Sequence, residues 1–134
     1  VDLIADTTFL VGLWRKQPWA MTFAAGQASK VLGIPWVVLG EFWHGAVRAG
    51  HEKNSVSGFL DLGIPLLDAG EVIPSYAEIC TKLQEADLPA YRAIGQNDLW
   101  IAAVAVHWNL PLVSRNRRHF EKIAGLQVIV PPGV

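Results

Sequence analysis

Four short runs, Leu3-Ile4-Ala5, Ile64 to Leu67, Leu112-Val113-Ser114 and Leu126 to Val130, are almost continuously apolar, and a further apolar stretch covers Val31 to Ile34. None alternates with polar residues as a strand with one wet face does, so each reads as a strand covered on both sides. Segments with helical signals separate the runs, which predicts an α/β fold: a three-layer α/β/α sandwich around a central parallel sheet of four to five strands. Ligands of such sheets bind in the crevice beyond the carboxyl ends of the strands. The positions to inspect are therefore Asp6, Asp68 and the Ser114-Arg115-Asn116 segment, together with the helix starts that face them.

The intervening helices announce themselves through caps and prolines. Thr7 or Thr8 is expected to cap a helix beginning near Phe9, and Pro18 to open a second that ends near Gly33. Pro35 opens a third, from about Trp36 to Ala49, stopped by Gly50. Asn54 or Ser55 suits the cap of a fourth through Leu62, and Ser75-Tyr76-Ala77-Glu78 reads as a capping box. Asn97 is expected to cap a helix from Asp98 that is apolar all round and so buried, with Asn109 as its left-handed stop.

At 134 residues the chain suits one domain, residues 1–134. Its charged fraction, 17%, is below the usual value of about 25%, which argues against disorder and for extensive burial, including burial against a partner. The formal net charge of −1 advertises no global attraction to nucleic acid, so such binding must be local. The single Cys80 forms no internal disulfide and has no zinc-type spacing around it, which fits a reducing cytoplasm. No apolar run approaches the roughly 20 residues of a membrane helix, and the opening residues do not read as a signal peptide.

Three carboxylates then stand out. Asp6 follows the first strand, Asp98 begins the helix leading into the strand at Leu112, and Glu41 lies on a helix otherwise lined by Trp36, Val37, Leu39, Phe42 and Trp43. Two carboxylates about 4 Å apart repel by roughly 4 kcal/mol at an effective dielectric near 20, so a converging trio must hold protons or a divalent cation. Oxygen-only ligands favour Mg²⁺ or Mn²⁺ over zinc. Each residue also has an ordinary role open to it: Asp6 as a cap, Asp98 as a partner of the helix dipole, Glu41 in a pair with Arg15 or Arg48.

Asp6-Thr7-Thr8, the run from Ile34 to Gly45, the run from Asn97 to Ala103, Leu112 to Asn116 and His119-Phe120 together resemble the PIN-domain ribonucleases, and among them the VapC toxins of bacterial toxin–antitoxin pairs. The resemblance covers essentially the whole chain and is most specific from Asn97 to Phe120. It implies a PIN-like sandwich, a catalytic Mg²⁺ or Mn²⁺ site built from Asp6, Glu41 and Asp98, hydrolysis of RNA, and neutralisation by a VapB-like antitoxin. It also implies Thr8 as a hydrogen-bond partner of the site. The family usually carries one more acidic residue at the position of Asn116 or of His119, and here neither is a carboxylate. Asn116 can orient a metal-bound water, while the lost charge weakens metal binding and makes a single ion the safer expectation. The rival reading is a PIN-like domain that binds RNA or protein and cuts poorly.

Arg115, Arg117, Arg118 and Lys122 against Glu121 give +3 over eight residues, leaving −4 for the rest of the chain. Placed beside the acidic pocket, Arg115, Arg117, Arg118 and His119 are expected to hold RNA phosphates, the ordinary alternative being a solvated loop. Six Trp residues are many for this length. Trp14 and Trp19, flanking Arg15-Lys16-Gln17-Pro18, are the expected contacts of an antitoxin or of a second copy in a homodimer.

Overall fold

In a computed structural model, which describes residues 1–133, β1 (Leu3–Ala5) feeds α1 (Thr7–Trp14) and α2 (Pro18–Gly26). β2 (Leu32–Pro35) runs without a loop into α3 (Trp36–Arg48), followed by α4 (Lys53–Leu60) and β3 (Ile64–Leu66). Three helices, α5 (Val72–Ala86), α6 (Leu88–Ala93) and α7 (Gln96–Trp108), precede β4 (Leu112–Val113). The short α8 (Arg117–Phe120) leads to β5 (Val128–Ile129).

The five strands form one sheet in the order β3-β2-β1-β4-β5, with every pairing parallel. β1 is central, with Ile4 beside Gly33 on one side and beside Leu112 on the other. Ile4, Leu112 and Val113 are completely buried, each such side chain contributing about 1.5–3 kcal/mol through removal from water. The continuous apolar runs thus reflect a sheet covered on both faces. The chain moves outward from β1 through β2 to β3, then crosses back over β1 to β4 and on to β5. The direction reverses between β1 and β4, and at such a reversal the flanking connections diverge to leave a crevice at the strand ends. Asp6 and Ser114 follow those two strands directly, and both are buried.

Several local expectations change. Asp6 itself caps α1, accepting from the Phe9 backbone N–H at 2.8 Å, in place of Thr7 or Thr8. α2 stops at Gly26, because the following residues turn and then extend into β2, so it does not reach Gly33. Ser75 and Glu78 form no capping box: a turn in which Asp68 accepts from Gly70 N–H starts the winding earlier, and α5 already runs from Val72. Asn97 lies inside α7, whose cap position is Gly95, so Asp98 sits in the first turn. Asn109 is left-handed, φ 53°, and ends α7. The segment after Ser114 is not all loop, since buried Phe120 pins the one-turn α8 to the core.

Trp14 and Trp19 are half-buried and engaged inside the fold. Trp14 meets Phe42 and Phe59 edge-on, with ring centroids 5.9 and 5.2 Å away, while Trp19 lies against Phe9 at 6.3 Å. Gly12 makes the second contact possible, because a Cβ there would stand 2.7 Å from the Trp19 ring. No helix among the described residues is long and apolar enough to cross a membrane.

Candidate active site

Asp6, directly after β1, has only 3% of its surface exposed. Its carboxylate accepts from Phe9 N–H, and the Thr8 hydroxyl lies 2.9 and 2.8 Å from its two oxygens. Burial raises the Asp6 pKa above its ordinary value. The hydroxyl of Ser114, the Phe9 N–H and Thr8 oppose that rise, and the nearby charge of Asp98 adds to it. The sheet order therefore brings together two carboxylates that lie 92 positions apart in the chain.

Asp98 projects from the first turn of α7 and its Oδ2 lies 2.7 Å from His119 Nδ1. The Asn116 side-chain amide approaches the same ring nitrogen at 2.8 Å. α8 is therefore bound to the acidic site through His119, with Asn116 set against the imidazole; these are the two polar residues that stand where the resemblance leads one to expect a further acid. Glu41 arrives on α3 and accepts from the Thr7 hydroxyl at 2.7 Å, one residue from Asp6. Sequence reasoning chose Thr8 and overlooked Thr7, whose partner lies 34 residues away and becomes visible only once α1 and α3 pack.

Each carboxylate thus has its own neutral or imidazole partner: Thr8 for Asp6, Thr7 for Glu41, His119 for Asp98. Among the described residues, no Lys or Arg pairs with any of the three. Nor, among these residues, are three His, Cys, Asp or Glu side chains already gathered tightly enough to hold a metal ion between them. Asp6 and Asp98 feel one another, while Glu41 is tied to the adjoining residue. Hard oxygen donors around a desolvated carboxylate, without a Lys or Arg to neutralise them, fit Mg²⁺ or Mn²⁺.

The basic segment divides. Arg115 is exposed and its guanidinium lies 4.8 Å from the Trp19 ring centroid, a stacked arrangement that fixes the start of the segment against α2. Arg117 and Arg118 are exposed on α8, with Arg117 3.9 Å from Glu121. Lys122 turns away to Asp87. Of the four basic residues of this segment, Lys122, Arg115 and Arg117 thus each have a contact of their own, with Asp87, Trp19 and Glu121.

The PIN domain profile matches residues 3–126. Ribonuclease VapC2 of Haemophilus influenzae is 23% identical over 122 residues, covering 91% of this chain and 92% of the relative. Among solved structures, DNA-bound VapBC from Salmonella typhimurium superposes with a TM-score of 0.80 at 23% identity, covering 98% of this chain and 99% of that one. VapBC2 from Rickettsia felis, bound to a DNA fragment from its promoter, gives 0.79 at 23% identity, covering 97% and 98%. FitAcB from Neisseria gonorrhoeae gives 0.73 at 19% identity, covering 96% and 97%. A parallel sheet with acidic residues at its switch point, a profile match over nearly the full length and these shared architectures lead to one conclusion: the chain belongs to the PIN domain family.

Proposed function

We propose that this protein is a metal-dependent endoribonuclease of the VapC kind, hydrolysing RNA phosphodiester bonds at the crevice between β1 and β4. The observation that carries the reading is Asp6: a carboxylate buried at the switch point beside Asp98, with hydrogen-bond donors around it but no Lys or Arg. Such a group is costly to keep charged unless a cation accompanies it. The curated relative named a ribonuclease supports the same chemistry.

Asp6, Glu41 and Asp98 would hold the cation, which when bound supplies positive charge to the phosphate and acidifies a water molecule. Thr8 holds both Asp6 oxygens and Thr7 orients Glu41, so neither carboxylate has to find its position when substrate arrives. Arg115, Arg117 and Arg118 hold flanking phosphates on the rim. Water adds to phosphorus and the bridging P–O bond opposite breaks, leaving a phosphate monoester on one fragment and a hydroxyl on the other.

The partners of this reading are RNA, an acidic or amphipathic antitoxin segment laid over the arginine rim, and a second copy of the chain, all in the cytoplasm. Related structures contain toxin–antitoxin assemblies, and this chain exposes Val47, Leu67 and Ile73 by half or more of their surface. Light scattering at tens of micromolar tests the dimer, which a strictly monomeric species would exclude.

The decisive assay follows cleavage of labelled RNA with Mg²⁺ or Mn²⁺. Asp98→Asn is expected to abolish cleavage with the fold intact by circular dichroism, and chelation is expected to silence the parent. Cutting that survives either treatment refutes the reading. A folded parent that binds RNA and Mn²⁺ but never cuts supports the rival binding module instead.

A further inference from the structure

The contact between α8 and α7 bears on how many ions the acidic site can take. Nδ1 of His119 lies 2.7 Å from Oδ2 of Asp98 and 2.8 Å from the Asn116 amide nitrogen. A carboxylate only accepts, so the productive arrangement has Nδ1–H donating to Asp98. The Asn116 amide then serves the ring best by presenting its oxygen, which a half-turn about its own bond achieves. Either way, the flank of Asp98 that faces α8 is filled by nitrogen-bearing side chains, and one of its two oxygens is committed to the imidazole. Asp98 and His119 side chains are 26% and 40% exposed, so water screens the pair, and its effect is one of position more than of ion-pair strength.

A second divalent ion would need carboxylate oxygens on that same flank. Asp6, on the other side, is already tied to Thr8 and Phe9, and Glu41 to Thr7. Charge gives the same answer. One divalent cation leaves the three carboxylates at −1, whereas two would leave them at +1 beside the imidazole of His119.

We infer that His119 and Asn116 form a clamp which occupies one oxygen of Asp98 and limits the acidic site to a single divalent cation. The inference rests on the metal-dependent reading above and adds stoichiometry and two positioning residues to it. Substitution of one atom type should undo it. In Asp, Oδ1 is as many bonds from the backbone as Nδ1 is in His, so His119→Asp puts a carboxylate oxygen where the ring nitrogen now meets Asp98. His119→Glu offers a carboxylate from the same position with one methylene more of reach, and likewise takes the imidazole off Asp98.

The test is a Mn²⁺ titration of the full-length chain, reading free ion by electron paramagnetic resonance, with no RNA present. The parent is expected to bind one equivalent, and pulsed measurements are expected to show no directly coordinated nitrogen. His119→Asp and His119→Glu are each expected to raise the count to two, so if one variant does not fold the other still decides. His119→Ala is expected to keep one equivalent with affinity weakened about tenfold or more, as loss of an oriented carboxylate implies. Two equivalents in the parent, or one in both acidic variants, overturns the clamp alone. A nitrogen coupling from His119 also overturns it, since the ring would then be a ligand. Zero equivalents in the parent overturns the metal-dependent reading as well, which keeps the two failures distinct.

Discussion

Replacing Asp6 by Asn removes a charge while keeping the shape, the helix cap and the acceptor for Thr8, so it isolates what burial of that charge costs. The Asp6 pKa in the folded protein is raised, chiefly by desolvation. Ionisation therefore favours the unfolded chain: the penalty is absent below about pH 3.8, appears as pH rises through the folded pKa and is complete above it. Each pH unit separating folded from unfolded pKa is worth about 1.4 kcal/mol, and in a domain of this size 1 kcal/mol moves Tm by roughly 3–6 °C. Without metal, Asp6→Asn should thus melt above the parent at pH 7.5 and equal to it in acid. Asp6→Ala is the control, because it also removes the acceptor of Phe9 N–H and Thr8, costing about 1–3 kcal/mol at every pH. Adding Mn²⁺ should reverse the order at neutral pH. A parent at one hundred times its Kd gains about 2.7 kcal/mol, and the Asn variant gains little. Differential scanning fluorimetry from pH 3 to 8, with chelator or with Mn²⁺, reads all of this. An Asn variant less stable than the parent in chelator, or equally stabilised by Mn²⁺, would refute the buried-charge argument.

Thr7→Val should weaken Mn²⁺ binding about tenfold while Thr7→Ser restores it, measured calorimetrically, because only the hydroxyl reaches Glu41. Trp14→Ala should cost about 2–3 kcal/mol in urea denaturation, since its ring fills space beside Phe42 and Phe59. Arg115→Ala should weaken RNA binding and reduce the slope of log affinity against log salt by about 1, with stability changed by no more than about 1 kcal/mol from the lost contact with Trp19. An unchanged salt slope would return Arg115 to the role of a packing residue.

The parallel sheet was legible because burial on both faces writes itself as uninterrupted apolar runs, and the helix ends at Pro18, Pro35 and Asn109 because their backbone preferences are local. α6 was also locally encoded, by Asp87 as cap and Pro89 in the first turn, but it is too short to show a periodic face and was missed. The false capping box at Ser75 fits the residue pattern and fails because the preceding turn had already started the helix. Asp6, Glu41 and Asp98 were visible as chemically expensive residues after strands or on apolar helices. Their partners were not. Which hydroxyl meets Glu41, and that His119 meets Asp98, depends on the packing of α1 on α3 and of α8 on α7, which no spacing along the chain records. Trp14 and Trp19 misled for a related reason: a Trp beside a turn reads the same whether its ring faces a partner or folds back onto Phe42 or Phe9.

The pairing of Ile4 with Leu112 has a consequence in time. Strand β1 is synthesised before the other four strands of its sheet, yet one of its two neighbours is separated from it by 108 positions. At a synthesis rate of about 5–20 residues per second, the ribosome spends roughly 5–20 s between the two, during which β1 can pair with β2 and β3 can join them, but the crevice has no second wall. Asp6 is then a helix cap on a half-built sheet, with neither Ser114 nor α8 beside it. A chain stalled or cut before Leu112 therefore carries all three carboxylates but lacks Ser114 and His119, so the order of synthesis leaves Asp6 and Asp98 without these partners until β4 and α8 have been made.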